Sequence, residues 1–430
     1  MKNWIVFCLA VVLISCSSSY SSKLSTTLEQ SIQSTGKPAI DLTIIPTQKH
    51  ELTAILTVTP TENQSTITPT PLPLNVVSDT IFAYFKEGSI YVADYSGDSL
   101  IIYNMEEEDQ TKQEKPKMKL SPDWKYIAYI GVSGGTQPAI KVIDIENKKK
   151  IFQDIFPNAI ITDFAWSTDS KNIVAAYDYK NGKDNFSGFI SILDPISQEG
   201  RKTLFDPENM EVTQIEWPNT EKIVFSYLSY GKDTFHMASI ASYDINSKMV
   251  IRRNISSMER PNFWLTISPD KVKVLFYNNP GGGNVFGPYI KTMMSINTLQ
   301  NLPCSVCGYP QIININWFDH YILGLSDPNS GSVDQGMRLY DLEGNRDALL
   351  FVGGPESWAY ILRVIQKNGR SIALFWTPGF QQHPDLLEMW DIGIFLKENA
   401  NTDWNQIVPN VPKIAWTIQD AWPDSATLQF

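Results

Sequence analysis

The 430-residue chain has little of the material from which most active sites are built. Its four histidines, His50, His236, His320 and His383, show no metal-type spacing such as His-x-x-x-His. There is no Gly-x-Ser-x-Gly elbow for a nucleophilic serine. Pro280-Gly281-Gly282-Gly283-Asn284 is glycine-rich, but it lacks the Lys-Ser/Thr that completes a phosphate loop. These absences lead us to expect no catalytic residue, no metal and no cofactor. Positive charge is also scarce: 35 Lys and Arg stand against 46 Asp and Glu, for a net charge of -11. A chain without a basic excess is a poor fit to nucleic acid, whose phosphates need a basic face. Charged residues make up 19%, below the roughly 25% of an average soluble chain. Aromatic residues, by contrast, are abundant: 12 Trp, 18 Tyr and 20 Phe. That supply can bury a large core and excludes a disordered protein.

The apolar run at the start, Trp4 to Ile14, is too short to cross a bilayer core of about 30 Å as a helix. With Lys2 before it, the run suits the hydrophobic region of an export signal. Leu13-Ile14-Ser15-Cys16 resembles the lipobox of bacterial lipoproteins, and Ser17-Ser18-Ser19 continues in the polar manner of that family. The resemblance implies a signal peptide over 1–15 and a diacylated Cys16 as the first mature residue. The protein would then be lipid-anchored to a bacterial membrane in the cell envelope, on the extracytoplasmic side. The acyl chains would hold it at the membrane surface by burying CH₂ groups. A plain secretory signal with an incidental cysteine is the other reading of the same residues.

Cysteine usage agrees with export. Cys8 leaves with the signal, so only Cys304 and Cys307 remain besides Cys16. A thioredoxin-like redox pair needs a helix N-terminus to stabilise the thiolate, yet Pro303 and Gly308-Tyr309-Pro310 read as loop. Zinc would need two further ligands. A loop-pinning disulfide between Cys304 and Cys307 is the expectation for an oxidising compartment. Residues 16–77 read as a flexible tether: Ser17 to Val77 contains 9 Ser, 12 Thr and 6 Pro but one aromatic, Tyr20. Such a segment cannot bury enough apolar surface to offset its ordering entropy.

From residue 78 to 430 the chain changes to short aromatic and β-branched runs separated by Gly, Asn, Asp and Pro. One run recurs at Ile81, Ile127, Ile173, Ile223, Val274, Ile322 and Ile372. An acidic or amide residue closing a later strand recurs at Asp94, Asp144, Asp194, Asp244, Asn297, Asp341 and Asp391. Both registers share a period near 50, which with four strands per unit means propeller blades. In the third unit the strands fall at 161–166, 173–177, 189–193 and 201–205. Ser121-Pro122-Asp123-Trp124, Trp217-Pro218-Asn219 and Ser268-Pro269-Asp270 resemble the Ser-Pro-Asp-Gly turn of TolB-type, WD-repeat-like propellers, although the glycine is missing here. The likeness implies a fold and no activity.

The innermost strands are marked by Leu120, Trp166, Trp217, Ile267, Trp317, Ile365 and Trp422. No such strand precedes Ile81, so the C-terminal strand is expected to complete the N-terminal blade, with Trp422 buried against the strand from Ile81 to Tyr84. The fold class is therefore all-β: a seven-bladed β-propeller of four-stranded antiparallel blades, with six or eight blades as the alternative. The long loops between second and third strands offer a candidate binding face of Tyr177, Asp178, Tyr227, Asp233, Tyr277, Asn278, Asn284 and Trp376. Aromatic faces beside acids and amides suit a sugar or a peptide, while the same aromatics would also serve as packing between blades. Glu106 to Lys119 reads as a solvated loop. The expected function is a monomeric binding module for an unidentified protein or extracellular polymer. The other class is a carbohydrate-active or other hydrolytic enzyme using carboxylates at the propeller mouth. The propeller of prolyl-oligopeptidase-type peptidases is a further likeness, but their hydrolase domain is absent.

Overall fold

β-Branched and aromatic side chains fit a pleated, half-buried surface. In the computed structural model each recurring run accordingly forms the second strand of a four-stranded sheet. Blade 1 contains β1 (Phe82–Lys86), β2 (Ser89–Ala93) and β3 (Ser99–Asn104), and blade 2 contains β4 (Met118–Leu120), β5 (Tyr126–Ser133), β6 (Gln137–Asp144) and β7 (Lys149–Ile155). Blade 3 is β8 (Ala159–Trp166), β9 (Ile173–Lys180), β10 (Phe186–Leu193) and β11 (Lys202–Phe205). Blade 4 is β12 (Met210–Glu216), β13 (Lys222–Tyr230), β14 (His236–Asp244) and β15 (Val250–Ser257). Blade 5 is β16 (Asn262–Ile267), β17 (Lys273–Asn279), β18 (Tyr289–Ser295) and β19 (Asn301–Leu302). Blade 6 is β20 (Ile312–Phe318), β21 (Tyr321–Ser326), β22 (Gly336–Asp341) and β23 (Arg346–Val352). Blade 7 is β24 (Tyr360–Lys367), β25 (Arg370–Thr377), β26 (Leu386–Asp391) and β27 (Lys413–Ile418), and β28 (Leu428–Gln429) returns to blade 1. The only helices among the described residues are short: α1 (Val76–Asp79), α2 (Glu107–Gln110) and α3 (Ile392–Glu398). None of them is long and apolar enough to cross a membrane.

The structure describes residues 75–95, 98–110, 117–180, 186–205, 210–230, 236–257, 262–279, 289–304, 307, 312–326, 336–343, 346–352, 360–377, 386–404, 413–418 and 428–429. Cys16 and nearly all of the expected tether lie outside them, although the tether's last residues, Val76 and Val77, are helical in α1.

The periodic acids have a structural cause. Each follows or ends the third strand of its blade and accepts a backbone N–H from the turn beyond. Asp144 accepts from Asn147 at 2.8 Å, Asp194 from Ser197 at 2.8 Å, Asp244 from Ser247 at 2.7 Å, and Asp391 from Ile394 at 3.0 Å, where it caps α3. The turn between first and second strands is built the same way. The Ser121 hydroxyl donates to Asp123 at 2.6 Å while accepting the Tyr126 N–H, and Ser167 repeats this with Asp169 and Asn172. Where related turns carry glycine, Trp124, Ser170 and Lys271 sit at φ of 65°, 61° and 63°. The left-handed region costs a residue with a Cβ roughly 1–2 kcal/mol.

Seven apolar cores lie among the described residues, each drawn from two neighbouring blades. The core between the last and first blades joins Ile365, Ile372, Leu374 and Met389 to Ile81, Phe82, Tyr84 and Ala93. The C-terminus completes blade 1 as expected, but through different residues: Leu428 pairs with Tyr84 and Gln429 with Ala83. Trp422, the residue expected there, lies outside the described residues.

The acidic run is also corrected. Glu106, Glu108 and Asp109 turn inward around Lys141, whose side chain is fully buried. Lys141 Nζ lies 2.9 Å from Asp109, which also accepts the Val132 N–H at 2.7 Å and the Tyr129 hydroxyl at 3.0 Å. Burial and the Asp109 charge push the Tyr129 hydroxyl far up. Gly131 is required beneath this cluster, since a Cβ there would lie 2.4 Å from Asp109 Oδ1. A lysine taken out of water keeps its charge only when paired, and these acids supply the pairing.

Two measurements check the architecture. Removing residues 428–430 should lower Tm by roughly 2–4 °C in a calorimetric melt, because a sheet edge is exposed and its hydrogen bonds are lost. An unchanged Tm would show that the apolar core alone closes the ring. Lys271→Gly should raise stability by about 0.5–1 kcal/mol in chemical denaturation, since glycine relieves the left-handed strain at some entropic cost.

Candidate functional site

The first strands of blades 2 to 7 line the ring's axis. Six of the seven residues that mark first strands in the sequence, Leu120, Trp166, Trp217, Ile267, Trp317 and Ile365, surround one cavity of about 720 Å³. The strands point toward the tight turns at their ends, so the cavity opens as a funnel on the turn face, where Ser121, Pro122, Trp124, Thr168 and Pro269 form its rim. Between the apolar residues stand Lys119, Gln214, Glu216, Thr266, Asn316, Gln366 and Lys271.

The wall is cross-braced from blade to blade. The Trp166 indole N–H donates to the Lys119 carbonyl at 3.0 Å. Gln214 accepts the Leu265 N–H at 2.9 Å and donates to its carbonyl at 3.0 Å. Asp163, fully buried three residues before Trp166, accepts the Ile215 N–H at 2.9 Å and pairs with Lys117 at 2.8 Å and Lys119 at 3.3 Å. Burial alone would raise the Asp163 carboxyl; the Lys119 and Lys117 charges and the hydrogen bonds hold it below its usual range. Among the described lining residues Glu216 is the single carboxylate, and it lies 3.7 Å from Lys119. A glycosidase pair at about 5–9.5 Å is not formed by these side chains. No group of three or more His, Cys, Asp or Glu converges as a metal site among the described residues.

The described residues among those expected from sequence lie toward the opposite end of their strands. Tyr177 and Tyr227 are each 3% exposed and belong to the cores between blades 2 and 3 and between blades 3 and 4. Tyr177 stacks on Phe189 at 5.6 Å, and its hydroxyl shares a 2.9 Å hydrogen bond with Ser191. Their rings hold blades together and offer no face to a ligand. Asp178 is 2% exposed, and burial followed by the Glu211 charge pushes its carboxyl up to about 7. Tyr277 and Asn278 lie in β17 and Trp376 in β25, with side chains outside the described residues; Asp233 and Asn284 are outside them altogether. Cys304 and Cys307 are joined as a disulfide with Cα atoms 5.3 Å apart, in the connection from blade 5 to blade 6. Both pack against the core containing Trp317. The funnel's polar residues were missed, although Lys119, Glu216, Thr266 and Asn316 each precede a marked first-strand residue and so share its period.

Fold and site together define the class: a seven-bladed β-propeller with an axial, mixed polar and aromatic funnel. No family model and no curated protein matches this chain. Solved structures that resemble it include TolB from Acinetobacter baumannii, 16% identical with a TM-score of 0.39 over 63% of this chain and 63% of that one. Another is an oligogalacturonate lyase in complex with manganese, 10% identical with a TM-score of 0.43 over 61% of this chain and 70% of that one. The match thus spans less than two thirds of TolB, and at these identities neither likeness bears on the site.

Asp178 makes stability depend on pH. In the unfolded chain an aspartyl carboxyl ionises near pH 4, whereas the folded protein holds its proton to about pH 7. Between those values folding takes up a proton at Asp178, so its contribution to stability declines as pH rises. Asp178→Asn should flatten that decline, raising Tm by roughly 2–5 °C at pH 8 and leaving it nearly unchanged at pH 4. Parallel pH–Tm curves for the two proteins would refute the assignment.

Proposed function

We propose that the protein is a lipid-anchored, extracytoplasmic binding module that receives a protein or polymer segment in its axial funnel. The observation that carries this reading is the lining itself. Indole and aliphatic side chains alternate with amides, a threonine, two lysines and a carboxylate around about 720 Å³, which is the composition of a site that seats a ligand by apolar contact and orients it with a few polar groups. The cross-bracing of Trp166, Asp163 and Gln214 supports it, because a preorganised wall spends little ordering entropy on binding. The lipobox-like Leu13 to Cys16 supports the anchor. The hydrolytic alternative rests on the loops of the opposite mouth.

A photo-crosslinking residue at Thr168 on the rim should capture a discrete species on intact cells. Gln366→Arg, which adds bulk and a positive charge to the funnel wall, should weaken that adduct severalfold, and Cys16→Ala should move the protein from the membrane to the soluble exported fraction. An adduct indifferent to Gln366→Arg would sink the funnel as the binding site. Release of soluble sugars from a polysaccharide by the purified protein would instead favour the enzyme.

A further inference from the structure

The chain enters the ring beside the funnel's mouth. β1 is the second strand of blade 1, so it starts on the turn face, where the funnel's rim also lies. The carbonyl of Thr80, just before β1, accepts a hydrogen bond from Lys367 Nζ, and that ammonium lies 4.2 Å from the ring centre of Trp124 on the rim. Lys367 itself follows Gln366, another funnel residue, and its carbonyl accepts the Tyr95 hydroxyl at 2.9 Å. α1 carries the chain little further. The Asn75 N–H donates to the Asp79 carboxylate at 2.9 Å, and the Asn75 carbonyl accepts the Asp79 N–H at the same distance. At 1.5 Å of rise per helical residue, Asn75 is about 8 Å from Thr80. The residues before Asn75 therefore set out from the neighbourhood of the rim.

Those residues are Thr70-Pro71-Leu72-Pro73-Leu74. Each proline restricts both itself and the residue before it, so the stretch favours extended polyproline II backbone. At about 3.1 Å per residue it reaches about 15 Å, against roughly 10 Å between packed sheets. Its prolyl rings and two leucines are apolar, and polyproline II segments dock on aromatic-lined grooves. The funnel presents such a lining in Trp124, Trp166, Trp217 and Trp317. We propose that Thr70–Leu74 is the funnel's own occupant, lying across its mouth as an extended proline-rich segment that a partner must displace. The proposal rests on the funnel being the binding site. Attachment beside the rim makes the docking intramolecular, at an effective concentration on the order of millimolar, so weak contacts suffice to hold it. A partner competes by presenting an extended apolar segment of its own to the same tryptophans.

The test uses the purified full-length chain with a photo-crosslinking residue at Thr168. Irradiation should join position 168 to the peptide containing Thr70–Leu74, read by mass spectrometry, with a yield independent of protein concentration. The same residue at Thr136, exposed in the turn between β5 and β6 on the opposite face, should give no such product. Pro71→Gly combined with Pro73→Gly should lower the internal crosslink severalfold without changing Tm, and should raise the partner adduct formed at position 168 on intact cells. Equal crosslinking from positions 168 and 136, a yield untouched by the glycines, or a product joining two copies would overturn the proposal. Absence of the internal crosslink while the cellular adduct persists would overturn the resident segment and spare the funnel. Absence of both would remove the funnel as well.

Discussion

Each sheet of this protein has two apolar faces, and neither can be covered until a neighbouring blade stands against it. Every interblade core therefore depends on the ring being closed, because an open ring of seven sheets would leave two such faces in water. The closing core is made by side chains from opposite ends of the sequence: Ile365, Ile372 and Leu374 from blade 7 meet Ile81, Phe82 and Tyr84 from blade 1. The hydrogen bonds of Leu428 and Gln429 to β1 add direction to this contact. Apolar burial supplies the driving force, and the returning strand sets the register in which it is used.

Given closure, the first strands are brought around one axis whatever their side chains, and the residues facing that axis are released from packing duty. Polar residues are accordingly tolerated at Lys119, Glu216, Thr266 and Asn316, each beside an apolar residue that packs between blades. The funnel arises from the fold, and its chemistry is free to vary. The turns at its rim are by contrast tightly specified, since Ser121, Asp123, Ser167 and Asp169 must satisfy backbone groups that no strand partner reaches.

Two buried aspartates show how far environment governs an identical side chain. Asp163 and Asp178 are both inaccessible to water. Asp163 meets Lys117, Lys119 and the Ile215 N–H and remains ionised. Asp178 has the Glu211 charge nearby instead, and burial followed by that charge pushes its carboxyl up to about 7. The same contrast holds for Lys141, whose full burial is tolerated because three acids enclose it.

The fold was legible in sequence because each blade repeats the same local problem, a strand that must turn, so the aspartates and β-branched runs recur with the blade length. Closure by the C-terminus was legible too, but the residues that make it were not: Leu428–Gln429 is too short to carry a period, and its partner is set by closure alone. Glu106, Glu108 and Asp109 read as a solvated run because only the tertiary structure places Lys141 among them. In sequence, Tyr177 and Tyr227 fit a ligand platform as well as packing between blades, and the neighbouring blade decided for packing. The sequence by itself determined the strands, the turns, the blade count and the aromatic supply, which are local and periodic properties. Tertiary structure decided which polar groups face the axis and which acids are ionised, because both depend on residues brought close by ring closure and far apart along the chain.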